Sequence, residues 1–321
     1  METLVFGPVP SRRLGRSLGI NNIHAKNCSY SCVYCQVGKT TNMTCERRSF
    51  HKPEEIVVEV KKKIKRANLR NETIDYLTFA PDGEPTLDID LGSEISLLKQ
   101  TGIRVAILTN ASLVWRRDLR EALQKADMVS LKVDAISDSI WRRVNRPYKD
   151  LSLDLILEGM VTFAKEFKGI IISETMLVDS VDYGNEFEKI ADFLKSLKRL
   201  SRAYIAVPTR PPTENWVRPP REGIVNRAFQ VFSEKLGADR VEYLLGYEGD
   251  AFAFTGNVVE DLLSIMAVHP MRKEAVEKFL KKANADWHIT QRLLQDGELR
   301  EVEYEGNKYY MRKLPGRTRM N

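Results

Sequence analysis

The chain has 321 residues, 43% of them hydrophobic and 29% charged, enough for one large domain and a small one with an ordinary packed core. Its formal net charge of +6 is compatible with an anionic partner such as RNA and too mild to require one. No apolar run approaches the ~20 residues that span a bilayer, and the opening Met1-Glu2-Thr3-Leu4 has no signal-peptide pattern, so no membrane partner and a cytoplasmic location are expected.

Short β-rich runs alternate with helical runs along most of the chain. Strands are expected at 17–23, 74–80, 104–110, 128–134, 169–178, 202–208 and 240–245, and helices at 53–68, 92–100, 115–126, 152–167, 185–199 and 221–236. The clearest helix begins at Pro53, where a missing N–H costs nothing. Glu54 and Glu55 suit its first turn, and Lys61 to Arg66 load its C-terminal half, as the helix dipole favours. Val57, Val60 and Ile64 give it an apolar face. Such alternation implies a parallel sheet with crossover helices. Six units make a partial (β/α)6 barrel, an α/β fold whose chemistry collects at the C-terminal ends of the strands.

The pattern then changes. Residues 208–220 are proline-rich and predict a rigid loop at the barrel mouth; Arg210, Glu214 and Arg218 on it are candidates for substrate contacts. Arg12, Arg13 and Arg16, before the first strand, suit a phosphate or simple salt bridges. The barrel is expected over 1–245, a linker over 246–256, a small winged-helix-like domain over 257–315 and a basic tail over 316–321. That C-terminal layout rests on helices at 258–268, 271–283 and 286–295. They are followed by strands at 299–304 and 308–313 around Glu305-Gly306-Asn307, a hairpin signal. Residues 258–321 hold twelve Lys/Arg against ten Asp/Glu, and the recognition-type helix offers Arg292 as its cation beside His288 and Gln291. Phosphate neutralisation dominates nucleic-acid affinity, so partner docking or substrate presentation is as good a role as nucleic-acid binding.

All four cysteines, Cys28, Cys32, Cys35 and Cys45, fall within eighteen residues. A disulfide framework would spread them; clustering points to a metal site in a reducing compartment. Cys28-Ser29-Tyr30-Ser31-Cys32-Val33-Tyr34-Cys35 is a C-x3-C-x2-C motif. Three thiolates on one loop can hold three irons of a cubane and leave one iron free. A zinc site, closed by Cys45, His24 or His51, is the alternative, since zinc takes four ligands.

The triad, with Tyr34 before its third cysteine, resembles the signature of the radical SAM superfamily. The opening 6–19 and the C-terminal module resemble a subgroup related to the wyosine-base synthases that modify tRNA. This resemblance implies a [4Fe-4S] cluster on Cys28, Cys32 and Cys35, with S-adenosylmethionine (SAM) on the free iron. It also implies reductive SAM cleavage to a 5′-deoxyadenosyl radical, fed by a flavodoxin or ferredoxin, and modification of a substrate such as tRNA or another RNA. A glycyl-radical-enzyme activase, acting on a partner protein, is a rival within the class. A non-catalytic metal-binding nucleic-acid sensor is a rival outside it. Wyosine synthases hold a second cluster on further cysteines; only Cys45 remains here, which argues against the same reaction.

The resemblance continues downstream. Asp82-Gly83-Glu84-Pro85 looks like the superfamily's G-G-E-P motif, with Asp82 in place of the first glycine. Backbone carbonyls and the Glu84 carboxylate would accept from the SAM ammonium; an ordinary glycine turn is the alternative. Thr109-Asn110 resembles a T-N-G motif whose side chains could reach ribose hydroxyls or cap the strand. On 128–134, alternation sends Ser130, Lys132 and Asp134 inward, where charges are costly unless paired or ligand-bound. Lys132 would meet the SAM carboxylate and Asp134 a ribose hydroxyl or the substrate, or the two would form a structural ion pair. Glu174, between Ile172 and Met176, is a further inward-facing candidate for SAM or substrate.

Overall fold

The computed structural model describes residues 3–246 and 248–313. The chain opens with a hairpin in which β1 (Val5–Ser11) runs antiparallel to β2 (Gly15–Ile20). Next come β3 (Asn27–Cys28) and β4 (Asn42–Met43), a short parallel pair. Six further strands add in parallel to β2: β5 (Tyr76–Phe79), β6 (Arg104–Thr109), β7 (Met128–Lys132), β8 (Ile170–Met176), β9 (Leu200–Ala206) and β10 (Val241–Leu244). The connecting helices are α1 (Pro53–Asn68), α2 (Leu91–Lys99), α3 (Arg117–Leu123), α4 (Asp138–Val144), α5 (Leu153–Glu166), α6 (Glu186–Ser196) and α7 (Glu222–Leu236). All seven expected strands are present, and the α/β partial barrel is the expected fold. Elements not expected are β1, the short pair β3 and β4, and α4. Pro8, Pro10 and Gly7 speak against a strand, yet an edge position and a register shift between Phe6 and Val9 accommodate them.

Period-2 alternation sorts the strand side chains. Leu18, Leu77, Ile107, Val129 and Leu131 point outward and pack beneath the helices in the main core. On the inner face, Leu14, Tyr76, Ala106, Met128, Ile172 and Tyr204 form a separate apolar cluster that plugs one end of the barrel. Toward the C-terminal strand ends the inner face turns polar, beginning with a 2.7 Å hydrogen bond between Ser17 Oγ and Thr78 Oγ1. The sheet curls far enough that Ser17 of β2 and Leu244 of β10 line one interior cavity, of about 320 Å3.

The C-terminal segment comprises α8 (Val258–Val268), β11 (Met271–Arg272), α9 (Lys273–Lys282), α10 (His288–Gln295), β12 (Leu299–Tyr304) and β13 (Asn307–Arg312). Its strands make an antiparallel sheet in the order β11-β13-β12. Phe6 and Val9 of β1 belong to its apolar core. The glycine-bearing stretch before it is packed down: Phe252 and Phe254 are buried, and the Ala253 N–H donates to Pro8 O at 3.0 Å. Lys63, among the cations of the C-terminal half of α1, is buried and pairs with buried Asp261 of α8 at 2.6 Å. The expected basic tail, with Arg317 and Arg319, lies outside the described residues. Among the described residues no helix is long and apolar enough to cross a membrane.

Candidate active site

The cysteine loop follows the first parallel strand and is held from three sides. Within it, Cys35 N–H donates to Cys32 O at 3.1 Å and Gly38 N–H to Cys35 O at 3.3 Å. Lys26, buried, caps the loop by donating to Gly38 O. From α4, the Val144 carbonyl accepts from Val33 N–H at 2.9 Å. From the proline-rich loop, Thr213 Oγ1 donates to Cys35 O at 2.7 Å, and Val33 O accepts from Glu214 N–H at 3.1 Å. Val33 and Tyr30 are core residues, so the loop is pinned by packing as well as by its backbone. Cys28, Cys32 and Cys35 are all half-buried.

N–H groups face two of the sulfurs. Cys28 Sγ lies 3.5 Å from Tyr30 N and 3.7 Å from Asn110 Nδ2. Cys32 Sγ lies 3.6 Å from Asn145 Nδ2. Burial pushes both thiols well up, Cys32 to about 12, with the Asp134 charge adding to it. Iron would offset that penalty by binding the thiolate form, and donors at the sulfurs stabilise the charge that remains. Three cysteines on one loop, two of them with N–H groups at sulfur, are a donor set that fits three irons of a cubane. Burial, and then the Asp150 charge, raises the Cys45 thiol.

The Asp82–Pro85 turn sits directly under this loop. Gly83 meets backbone closely: a Cβ there would lie 1.9 Å from Asn27 O. Glu84 is 2% exposed, and its carboxylate is fully engaged. Oε1 accepts from Thr86 N at 3.1 Å, Thr86 Oγ1 at 2.6 Å and Thr109 Oγ1 at 2.6 Å; Oε2 accepts from Asn110 N at 2.7 Å. Burial still holds its carboxyl above the ordinary range. Glu84 thus caps the short 3-10 turn Pro85–Leu87 and ties it to the end of β6. Asn110, so fixed, turns its amide to Ser29 Oγ at 2.9 Å as well as to Cys28. Thr109 spends its hydroxyl on Glu84.

The inward-facing charges are brought together, in a pairing different from the one considered from sequence. Lys132 pairs with Glu174 across β7 and β8, not with Asp134, and Arg13 takes the other Glu174 oxygen. Burial alone would raise Glu174, but the Arg13 and then the Lys132 charges bring its carboxyl down to about 2. Lys132 also stands 4.9 Å from the Tyr34 ring centroid, a cation–π distance. Asp134, 4% exposed, accepts from Tyr34 OH, from Asn145 Nδ2 at 2.7 Å and from Met176 N at 2.8 Å. It clamps the cysteine loop to β8.

Lys132, Glu174, Tyr34 and Cys35 line the interior cavity, and Arg13 and Arg210 join them there. Arg16 instead binds Glu72 at 2.6 Å. Arg218 faces outward toward Glu305, and Glu214 pairs with Arg146. Sequence reasoning missed Asn145, which caps α4, and Gln36, Glu248 and His269, which line the cavity. None of these carries a motif. Gln36, adjacent to Cys35, was the one with a positional signal.

A curled parallel sheet with three cysteines on the loop after its first parallel strand defines a cluster-binding barrel. The family model described as the radical SAM superfamily matches residues 22–194. The chain is 47% identical to a UPF0026 protein of Methanocaldococcus jannaschii, over 99% of this chain and 98% of the relative. It is 36% identical to a UPF0026 protein of Synechocystis, over 64% of this chain and 76% of the relative. Among solved structures, a radical SAM methyltransferase from Sphaerobacter thermophilus shares the fold at a TM-score of 0.54 and 16% identity, covering 71% of this chain and 66% of that one. The chain belongs to the radical SAM superfamily and, within it, to the UPF0026 proteins. Members of the superfamily use a [4Fe-4S] cluster and SAM.

Proposed function

We propose that this protein is an enzyme that cleaves SAM reductively beside the cysteine loop and modifies a substrate held in the barrel. Cys28, Cys32 and Cys35 would hold the cluster. When bound, cluster and SAM would supply one-electron cleavage of a C–S bond and with it a 5′-deoxyadenosyl radical. The chain's own part is placement. Glu84 and Asn110 fix the Cys28 side, Asp134, Asn145 and Tyr34 fix the Cys32 side, and Gly83 lets the two layers meet. Glu84 and Asp134 therefore act as positioning groups, since their oxygens are already taken by protein donors. Lys132, Glu174 and Tyr34 remain the candidates for direct contact with SAM or substrate. Outside the loop, Lys39, Arg142 and Arg146 surround a surface hollow that suits an acidic electron donor such as a flavodoxin or ferredoxin.

The carrying observation is the donor set: three half-buried cysteines on one loop, two with N–H groups at sulfur, beside a charged interior cavity. A non-catalytic sensor needs no such cavity. The cationic balance of the lining favours an anionic substrate, which a nucleotide of tRNA or another RNA supplies and the neutral backbone glycine attacked by an activase does not. The winged-helix reading of the C-terminal segment is supported by its helix and strand order, and its α10 would be the surface meeting RNA. Anaerobically reconstituted protein given SAM and dithionite should form 5′-deoxyadenosine. A fully iron-loaded preparation that forms none would contradict the reading.

A further inference from the structure

The interior cavity is unbalanced in charge. Arg13, Lys132 and Arg210 line it against Glu174 and Glu248, while Arg12, which also reaches it, is exposed and donates to the Leu245 and Gly246 carbonyls. Glu174 is shared by Arg13 and Lys132, and Glu248 accepts from Arg210 at 2.9 Å. Buried charge in excess of its partners is unfavourable unless something of opposite sign completes it. Two atoms sharpen this. Arg13 Nε and Arg210 Nε are buried with no hydrogen-bond partner, a state that is unfavourable until an acceptor fills it. Both side chains are nearly buried, at 15% and 10% exposure, and both line the same space. The guanidinium fork matches the oxygens of carboxylate or phosphate.

Their placement is a product of the curl. Arg13 comes from the β1–β2 turn at one edge of the sheet, and Arg210 from the loop after β9, near the other. A third wall comes from the C-terminal segment. Arg210 Nη2 lies 2.9 Å from His269 Nε2, just past α8. Arginine only donates, so Nε2 accepts and the ring proton sits on Nδ1. Burial, and then the Arg210 charge, keep this imidazole neutral. Arg210 Nη1 also donates to Gln36 Oε1 at 3.1 Å, and Gln36 Nε2 donates to Val268 O at 2.9 Å. Arg210 is therefore held at the end of the cysteine loop by two residues that α8 supports.

We infer that the substrate carries an oxyanion, a phosphate or carboxylate group, held in this cavity by Arg13 and Arg210, and that the C-terminal segment forms the wall that positions Arg210 through His269. The inference rests on the enzymatic reading above and narrows its substrate. A cavity of about 320 Å3 suits a small molecule or one residue of a polymer.

The test uses the full chain with its cluster reconstituted, titrated calorimetrically with inorganic phosphate and, separately, with acetate. At least one anion should bind saturably, phosphate if the substrate is a phosphoester and acetate if it is a carboxylic acid. Arg210→Gln and Arg13→Gln should each weaken that binding by about tenfold or more, the scale of a lost charged contact. Arg210→Lys, which keeps the charge but not the fork, should weaken it less than Arg210→Gln does. His269→Gln, which keeps an acceptor for Arg210, should stay within about twofold, whereas His269→Leu should not. The inference is overturned if neither anion binds, if both arginine-to-glutamine variants bind as wild type does, or if SAM displaces the anion, which would assign the arginines to the cofactor. Formation of 5′-deoxyadenosine by the same preparation separates these failures from a failure of the enzymatic reading, which would leave none.

Discussion

The cavity has two kinds of wall. On the strand side, Lys132 and Glu174 are presented by adjacent parallel strands whose register pairs them directly, and alternation alone sends both inward. On the C-terminal side, His269 and Glu248 arrive from segments with no periodic relation to the barrel, held by contacts to Arg210. The first wall is rigid because the sheet is. The second depends on α8 being seated on β1 and α1, through Phe6, Val9 and the Lys63–Asp261 pair, and on single contacts such as Gln36 to Val268 O. Substitutions should therefore act differently on the two sides, severely at the cysteines and strands and mildly at single C-terminal contacts.

The largest effect is expected at the cluster itself. Cys32→Ala should abolish cluster binding and bring 5′-deoxyadenosine to background; iron analysis showing an undiminished cluster would break the assignment. Next is Glu174→Ala, which leaves Arg13 and Lys132 facing each other in a buried site. Breaking such a pair costs about 3–5 kcal/mol, to be read by denaturant unfolding. Glu174 lies below its ordinary range when folded. Its contribution is therefore present above the ordinary carboxylate pKa and lost as pH falls toward about 2. The variant should lack that acid limb.

Gly83→Ala comes third. Its methyl would meet a backbone carbonyl at 1.9 Å, so β3 must shift, at about 1–3 kcal/mol and with reduced iron content; unchanged loading would show that the turn and the loop are not coupled. A buried carboxyl pair beneath the same turn gives a smaller, pH-dependent effect. Asp88 and Glu94 are fully buried, and Asn22 Nδ2 lies 3.4 and 3.2 Å from them. Burial first, and then their mutual repulsion, raises Glu94 well above the carboxylate range. Its stabilising contribution is then present in acid and lost as pH rises from that range through neutral and beyond. Glu94→Gln should flatten this slope; an identical pH profile in the variant would mean that the pair holds no proton. Smallest is Tyr309→Phe, which removes a 2.7 Å bond from the C-terminal sheet to Thr209 O. About 1 kcal/mol is expected, read by thermal unfolding, and a loss several times larger would mean that this wall is as rigid as the strands.

Legibility followed the range of the interactions. Strands and long helices announce themselves through local periodicity, so α1 was readable in full from Pro53 to Asn68 and α8 from Val258 to Val268. The cysteine spacing and the Gly83-Glu84-Pro85 turn were readable for the same reason. The roles within the site were less so. Glu84 and Asp134 read from sequence as SAM or substrate contacts, and the four and three protein donors respectively that meet them could not be read there. A donor from 25 residues away, as Thr109 is to Glu84, leaves no local pattern. Asn145 was hidden because α4 is only seven residues long, too short for a periodic signal. His269 and Gln36 became visible only once the chain had closed on itself.

The central claim is that three thiolates leave one iron of a cubane open to SAM. Mössbauer spectroscopy of the protein reconstituted with 57Fe, recorded with and without SAM, tests it most directly. The account predicts one iron site whose signal changes on adding SAM while its neighbours keep theirs. A spectrum indifferent to SAM, or a protein that retains a single tetrahedral metal instead of a cluster, would contradict it.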